Sequence, residues 1–63
     1  MDPNTNLKEM LRLAEDIMDR GEEDAYEIDI NSAIRLAELV LAMNAWIKNG
    51  GFPPSAWNNR PNA

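Results

Sequence analysis

The sequence predicts an all-α fold: an antiparallel two-helix hairpin with a folded-back aromatic C-terminal tail, completed by a second copy as a dimeric four-helix bundle. Two segments carry apolar residues at helical spacing, and the acidic segment 21–29 between them is long enough to reverse the chain. Aromatic and Pro residues are concentrated in "NGGFPPSAWNN", residues 49–59. With 63 residues, the chain forms one small domain, residues 1–63, which needs tight packing or association for stability.

The first helix is predicted over about residues 7–20. Asn6 is its expected N-cap, Glu9 completes a capping box, and Gly21 is placed to end the helix. Helical spacing puts the apolar residues on one side, where a single neighbouring helix can cover them. They are Leu7, Met10, Leu11, Ala14, Ile17 and Met18.

The second helix is predicted over about residues 30–49, after Asp29 as N-cap. Gly50 and Gly51 supply the left-handed backbone that ends a helix. A start near Asp24 is the alternative. The apolar residues of this helix spread over about 240° of its circumference, which is more than one neighbouring helix covers.

Part of the second helix therefore needs a further cover. The predicted core or dimer face consists of Leu36, Leu39, Val40, Met43, Asn44, Trp46 and Ile47. We expect the tail to cover some of this face and a second copy, related by a two-fold axis, to cover the rest. Asn44 lies within the apolar arc, where a buried Asn can fix the register of a bundle; the alternative is a solvated position at the margin.

The tail, residues 50–63, carries three residues expected to pack on the hairpin, namely Phe52, Pro54 and Trp57. Pro53 and Pro54 restrict the backbone and direct Trp57 back toward the helices. The alternative is a polyproline ligand for an aromatic groove, although the segment lacks the PxxP spacing.

A cluster of acidic residues is the strongest electrostatic feature of the sequence. It consists of Glu15, Asp16, Asp19, Glu22, Glu23, Asp24 and Glu27. Carboxylates near a helix C-terminus oppose the helix dipole, and Glu15 with Asp19 forms a like-charge pair, so helix stability does not explain the cluster. It is either a solvated end that favours solubility or a docking surface for a basic patch on a partner protein.

Composition excludes several classes of function. The net charge of −5 argues against direct binding of nucleic acid. The sequence has no Cys and no His, which removes Cys/His nucleophile pairs and the usual zinc sites, and we expect no metal and no cofactor. The apolar runs are too short to span a membrane and the N-terminus lacks a signal-peptide pattern, so we expect a cytoplasmic protein.

One catalytic interpretation rests on "EDIMD", residues 15–19. This motif loosely resembles the EExxE magnesium motif of all-α nucleoside triphosphate pyrophosphohydrolases of the MazG type. The resemblance implies metal-dependent hydrolysis of nucleotide phosphates at Glu15, Asp16 and Asp19. That family needs a second acidic motif on the following helix, where this chain has only Glu38. The sequence therefore favours a protein that is not an enzyme.

Residues 30–57 resemble the C-terminal half of short, uncharacterised open reading frames of actinobacteria and their phages, which end in a helix, a Gly-Gly stop and a Phe/Leu-Pro-x-x-Trp tail. The matching residues are Arg35, Leu36, Ala37, Glu38, Leu39, Trp46, Gly50, Gly51, Phe52, Pro54 and Trp57. The resemblance implies a phage or mobile-element protein of a bacterial cytoplasm. We expect a small acidic homodimer that binds or inhibits a host protein; a purely structural oligomerisation module is the alternative.

Overall fold

The computed structural model describes residues 1–23, 26 and 28–58, and this part of the chain contains helices and no strands. The helices are α1, Pro3–Glu23, α2, Ile30–Lys48, and the short α3, Ser55–Asn58. The two long helices, α1 and α2, pack against each other. The all-α prediction and the pairing of two helices are therefore confirmed.

The two long helices run antiparallel and are staggered along their axes. Asn6 lies opposite Leu39, and Glu9 lies opposite Arg35. Continuing this register puts Ile30, where α2 begins, level with about residues 14–15 of α1 at a rise of 1.5 Å per residue. About two turns of α1 therefore extend past the start of α2, and nearly two turns of α2 extend past the start of α1.

The first helix begins at Pro3, four residues before the predicted start. Asp2 is the capping residue instead of Asn6: its Oδ1 accepts hydrogen bonds from the backbone N–H groups of Asn4 at 3.0 Å and Thr5 at 3.4 Å. Pro3 suits the first helical position because its fixed φ is helical and no N–H is needed there. The predicted cap, Asn6, lies inside the helix and is buried.

The first helix also continues through Gly21 to Glu23, so the prediction that Gly21 ends it is wrong. Only Gly50 has a positive φ among the described glycines, and Gly21 keeps an ordinary helical backbone. A Cβ placed on Gly21 would lie 3.3 Å from Cδ1 of Ile28. The missing side chain therefore leaves room for Ile28 to approach the helix, which offsets the low helix propensity of glycine.

Both ends of α2 follow the local signals in the sequence. Asp29 is the N-cap, and its side chain accepts a hydrogen bond from the backbone N–H of Asn31 at 3.0 Å. At the other end Gly50 has φ +91°, and the backbone N–H of Gly51 donates to the carbonyl of Trp46 at 2.8 Å. A left-handed residue followed by this hydrogen bond is a Schellman motif, which ends the helix.

Four apolar side chains form the buried core of the described chain: Leu7, Leu13, Leu39 and Met43. Leu11 and Met18, expected on the buried side of α1, are instead 51% and 63% exposed. The stripe of α1 that faces α2 includes Asn6 and Leu13, seven residues apart. The buried face is thus rotated from the predicted one, because a polar residue, Asn6, occupies part of it.

The described part of the tail folds back over the first turn of α1. Pro54 is fully buried, as is Pro3. The backbone N–H of Ser55, the first residue of α3, donates to Oδ1 of Asn4 at 2.7 Å. The two aromatic residues expected to form the cover are less enclosed, with Phe52 62% exposed and Trp57 47% exposed.

Candidate interaction surfaces

The acidic residues of α1 lie on its outer side, facing away from α2. We refer to Glu15, Asp16, Asp19, Glu22 and Glu23 as the acidic end. At 100° per residue they occupy about 120° of the helix circumference, opposite the face that includes Asn6 and Leu13. All but the half-buried Asp16 are exposed. Asp24 and Glu27, the other two predicted members, lie outside the described residues.

The basic residue within this segment, Arg20, is bound to Asp16. Its Nε lies 3.1 Å from each carboxylate oxygen of Asp16, four residues earlier on the helix. Both side chains are about half exposed. This exposed pair orders one carboxylate, and Glu15, Asp19, Glu22 and Glu23 keep the outer surface strongly negative.

The carboxylates of the acidic end do not converge on a common point. Within residues 1–23, 26 and 28–58, no group of three Asp or Glu side chains is placed to hold a metal ion. The fold accounts for this geometry, because the five side chains fan out around one helix and α2 brings no carboxylate to face them. Glu15, Asp16 and Asp19, the residues of the hydrolase interpretation, are thus spread over about 100° of the helix circumference.

The predicted core or dimer face of α2 divides into two parts. Leu39 and Met43 are buried, at 6% and 2% exposure, and belong to the core. Leu36 and Trp46 are half-buried. The remaining members are exposed: Val40, Asn44 and Ile47. The helix register explains the division, because Leu39 and Met43 point toward α1 and Val40 lies about 80° away from their midpoint.

An apolar groove opens beside the exposed part of this face. It has a volume of about 210 Å³. Its walls are Met10, Val40, Met43, Asn44, Ile47 and Trp57. Trp57 of the tail thus lies next to α1 and α2, over the gap between them. Asn44 is the polar residue of the groove, and its exposed position matches the alternative of a solvated margin.

A second exposed apolar surface lies on the side of α2 farthest from α1. We refer to Ile30, Ile34, Ala37 and Leu41 as the outer stripe. Ile30, Ile34 and Leu41 are 69%, 54% and 68% exposed. The four residues are spaced by four, three and four positions, which keeps them within about 60° of the circumference. The helical spacing of these residues is present in the sequence. Apolar residues occupy most of the circumference of α2, however, so the outer stripe was not distinguished from the rest.

The aromatic residues of the tail contact α2 through its last turn. The ring centroids of Trp46 and Phe52 are 5.6 Å apart in an edge-to-face arrangement. Nε1 of Trp46 donates to the backbone carbonyl of Phe52 at 2.8 Å. The Trp46 indole also covers Gly51 so closely that a Cβ there would overlap the ring. These contacts fix the direction in which the chain leaves α2.

An ion pair connects the two long helices on the side opposite the groove. Nε and Nη2 of Arg35 donate to the two carboxylate oxygens of Glu9, each over 3.2 Å. This hydrogen bonding holds the pKa of the Glu9 carboxyl below its ordinary value and raises the pKa of Arg35. The paired geometry is bidentate, which fixes the orientation of the two helices more than a single contact would.

No helix in the described part of the chain is long and apolar enough to cross a membrane. Comparison with known proteins adds no relative: the chain matches no protein-family model, no curated protein and no solved structure.

Proposed function

We propose that the protein is a small non-enzymatic interaction protein whose acidic end binds a basic surface of another protein. The observation that carries the proposal is the stagger of the hairpin. Because α1 extends about two turns past the start of α2, the acidic end stands clear of the second helix and can approach a partner surface. Exposed carboxylates on a protruding helix end can enter a concave basic site as well as lie on a flat one.

The charge distribution along α1 supports this orientation. Lys8 and Arg12 lie on the same outer side as the acidic end but nearer the start of the helix. The outer side is therefore positive near the tail and negative at the far end of the hairpin. A partner with a basic patch is attracted to one end of the molecule and repelled by the other, which orients the encounter.

The resemblance of residues 30–57 to short phage reading frames makes a protein of a bacterial host the partner to seek. In such a setting the acidic end would block or occupy a basic surface that the host protein uses for another ligand. Whether the acidic end blocks or occupies that surface, carboxylates of α1 pair with Lys and Arg side chains of the partner. Salt screens this attraction.

The experiment is an affinity capture of host proteins on the immobilised chain at low and at high ionic strength. A triple variant, Asp19→Asn, Glu22→Gln and Glu23→Gln, removes three exposed carboxylates while keeping side-chain size and the Asp16–Arg20 pair. Glu38→Gln, an exposed acid on α2, is the matched control. We expect one partner that the parent and the control retain at low salt, and that high salt and the triple variant both release.

Capture that is equal for the parent and the triple variant would show that the acidic end is not the binding surface. Capture that persists at high salt would likewise point to an apolar contact elsewhere on the molecule.

A further inference from the structure

We propose that the outer stripe of α2 lies in a homodimer interface, in which it packs against the same side of α2 in a second copy with the two helices antiparallel. This proposal is separate from the function of the acidic end, because the two surfaces lie on different helices and are made of different chemistry. Either one can fail without affecting the other.

The outer stripe has the composition of a helix–helix contact. Its large members, Ile30, Ile34 and Leu41, are each more than half exposed. Their spacing with Ala37 is that of the a and d positions of a heptad repeat, which one partner helix can cover. Scattered apolar residues on a surface are ordinary, but an aligned row of them on one helix indicates an association surface.

The hairpin itself cannot cover this row. Leu41 lies about 160° around the helix from Leu39, which is buried against α1. The tail lies beside the groove, which Trp57 lines together with residues on the flank of α2. Within the described chain, α1 and α3 are thus both committed to other sides of α2.

Charge selects the orientation of the second copy. Asp29 lies immediately before the outer stripe, and Lys48 lies in line with it at the other end of α2. An antiparallel arrangement puts Lys48 of each copy near Asp29 of the other, whereas a parallel one brings like charges together. The dipoles of the two α2 helices also oppose each other in the antiparallel arrangement, which adds to the preference.

Pairing Asp29 with Lys48 puts the two-fold axis near residues 38 and 39. Leu41 of one copy then faces Ala37 of the other, and the small Ala37 side chain lets the helices approach closely. Val40, on the flank of the stripe, is 44% exposed and widens the contact. Glu38 lies at the edge of the contact near the axis, where Arg35 on the same helix offsets its charge.

The apolar contact is short, because with this axis the two outer stripes overlap only from Ala37 to Leu41, about one turn of each helix. An interface of one helix pair lies at the small end of stable protein interfaces. The dimer is therefore expected to dissociate on dilution, with both species present at micromolar to tens of micromolar concentration.

The first experiment is sedimentation equilibrium of the full chain over a concentration series. We expect a reversible monomer–dimer equilibrium. Leu41→Asp should weaken dimerisation at least a hundredfold with unchanged helical circular dichroism, because Leu41 makes no core contact in the hairpin. Ala42→Asp, the adjacent exposed position on the polar side of α2, is the control and should leave the equilibrium within about threefold of the parent.

A second experiment tests the orientation and uses the absence of cysteine from the chain. Ile34→Cys and Asn44→Cys lie about equally far from the proposed axis and on opposite sides of it. Under mild oxidation, a mixture of the two variants should form the mixed disulfide dimer, and neither variant alone should do so. In the antiparallel dimer like positions are more than about 10 Å apart along the axis, beyond disulfide reach.

Three outcomes would overturn the proposal. The first is a chain that stays monomeric up to hundreds of micromolar, and the second is a dimer that Leu41→Asp leaves intact. The third is rapid cross-linking of Ile34→Cys with itself, which would show parallel helices. Ala42→Cys, on the polar side, controls for random collision and should cross-link slowly.

Discussion

The backbone N–H of Ser55 donates a hydrogen bond of 2.7 Å to Oδ1 of Asn4, a residue 51 positions earlier in the chain. Asn4 thereby caps the first turn of α3, and the bond fastens the tail to the start of α1. Asn4→Ala removes the acceptor, and we expect a loss of about 1 kcal/mol in the stability of the docked tail.

Nuclear magnetic resonance measures this loss directly, because the Ser55 amide proton signal should move toward the position of a solvent-exposed amide. Asn4→Asp keeps an acceptor oxygen and should retain the parent signal. A Ser55 signal that is the same in all three proteins would show that the tail is held by Pro54 alone.

The buried and exposed positions of α2 should differ sharply in their effect on hairpin stability. Met43 is 2% exposed, and Met43→Ala leaves a cavity, so we expect the free energy of unfolding to fall by about 3 kcal/mol. Leu41 is 68% exposed, and Leu41→Ala should change the free energy of unfolding by less than about 0.5 kcal/mol. Urea unfolding of the dilute monomer gives both values, and a comparable loss at the two positions would contradict the helix register described above.

The buried amide of Asn6 is expected to cost stability. Nδ2 makes a long hydrogen bond of 3.4 Å to the carbonyl of Leu39, and Oδ1 has no hydrogen-bond partner among the described residues. Asn6→Leu replaces a poorly paired polar group with an apolar one of similar size. We therefore expect the free energy of unfolding to rise by about 1 kcal/mol.

Thermal denaturation of Asn6→Leu tests this expectation, with Asn6→Asp as the comparison. A carboxylate at this buried position would lose its hydration, so Asn6→Asp should lower the melting temperature. A lower melting temperature for Asn6→Leu as well would show that the bond to Leu39 outweighs the unpaired oxygen.

Gly51 should not tolerate a side chain. A Cβ at this position overlaps the indole of Trp46, so Gly51→Ala must displace the ring and break its hydrogen bond to Phe52. We expect a loss of about 2 kcal/mol, typical of overpacking. The signal of the Trp46 indole N–H should shift at the same time. Gly50→Ala meets open space and should cost stability through its positive φ without moving the indole.

Acid should destabilise the hairpin through Glu9. The hydrogen bond from Arg35 lowers the pKa of Glu9 in the folded state, so the unfolded chain binds the proton at higher pH. The resulting stabilisation is fully present above the unfolded pKa, about 4.3, and is lost as the pH falls through the lower folded pKa. The fall in melting temperature between pH 7 and pH 2 is the acid limb of the curve, and Glu9→Gln should make this fall smaller.

Asp2 contributes to the same limb, because hydrogen bonds from Thr5 lower the pKa of its carboxyl as well. Asp2→Asn keeps a capping oxygen but does not titrate, so the double variant with Glu9→Gln should be flatter still. Glu38→Gln is the control. An acid limb of unchanged steepness in the double variant would show that other carboxylates govern acid unfolding.

The ends of α2 could be predicted because their signals are local. Asp29 and the Gly50–Gly51 pair act through hydrogen bonds within a few residues, and no competing pattern lies nearby. The start of α1 offered two such patterns, Asp2 with Pro3 and Asn6 with Glu9. The choice between them depends on the burial of Asn6 against α2, which is a tertiary contact and leaves no local mark in the sequence.

The same distinction applies to the candidate surfaces. Helical spacing was enough to gather the acidic residues of α1 on one side. It could not show that the acidic end extends past α2, because that depends on how the two helices slide along each other. Helical spacing also could not show which apolar residues of α2 are buried and which are exposed. Leu39 and Leu41 are the same residue type, and only the position of α1 distinguishes them.

The stagger between the two long helices has a consequence for the dynamics of α1. Its amides near Leu7 and Leu13 lie under α2 and should exchange with solvent deuterium only when the hairpin opens. Its amides from Asp19 to Glu23 rest on helical hydrogen bonds alone, apart from the approach of Ile28 to Gly21. Protection should therefore decline steadily along one continuous helix, and the segment that carries the most negative charge should also be the one that frays most often.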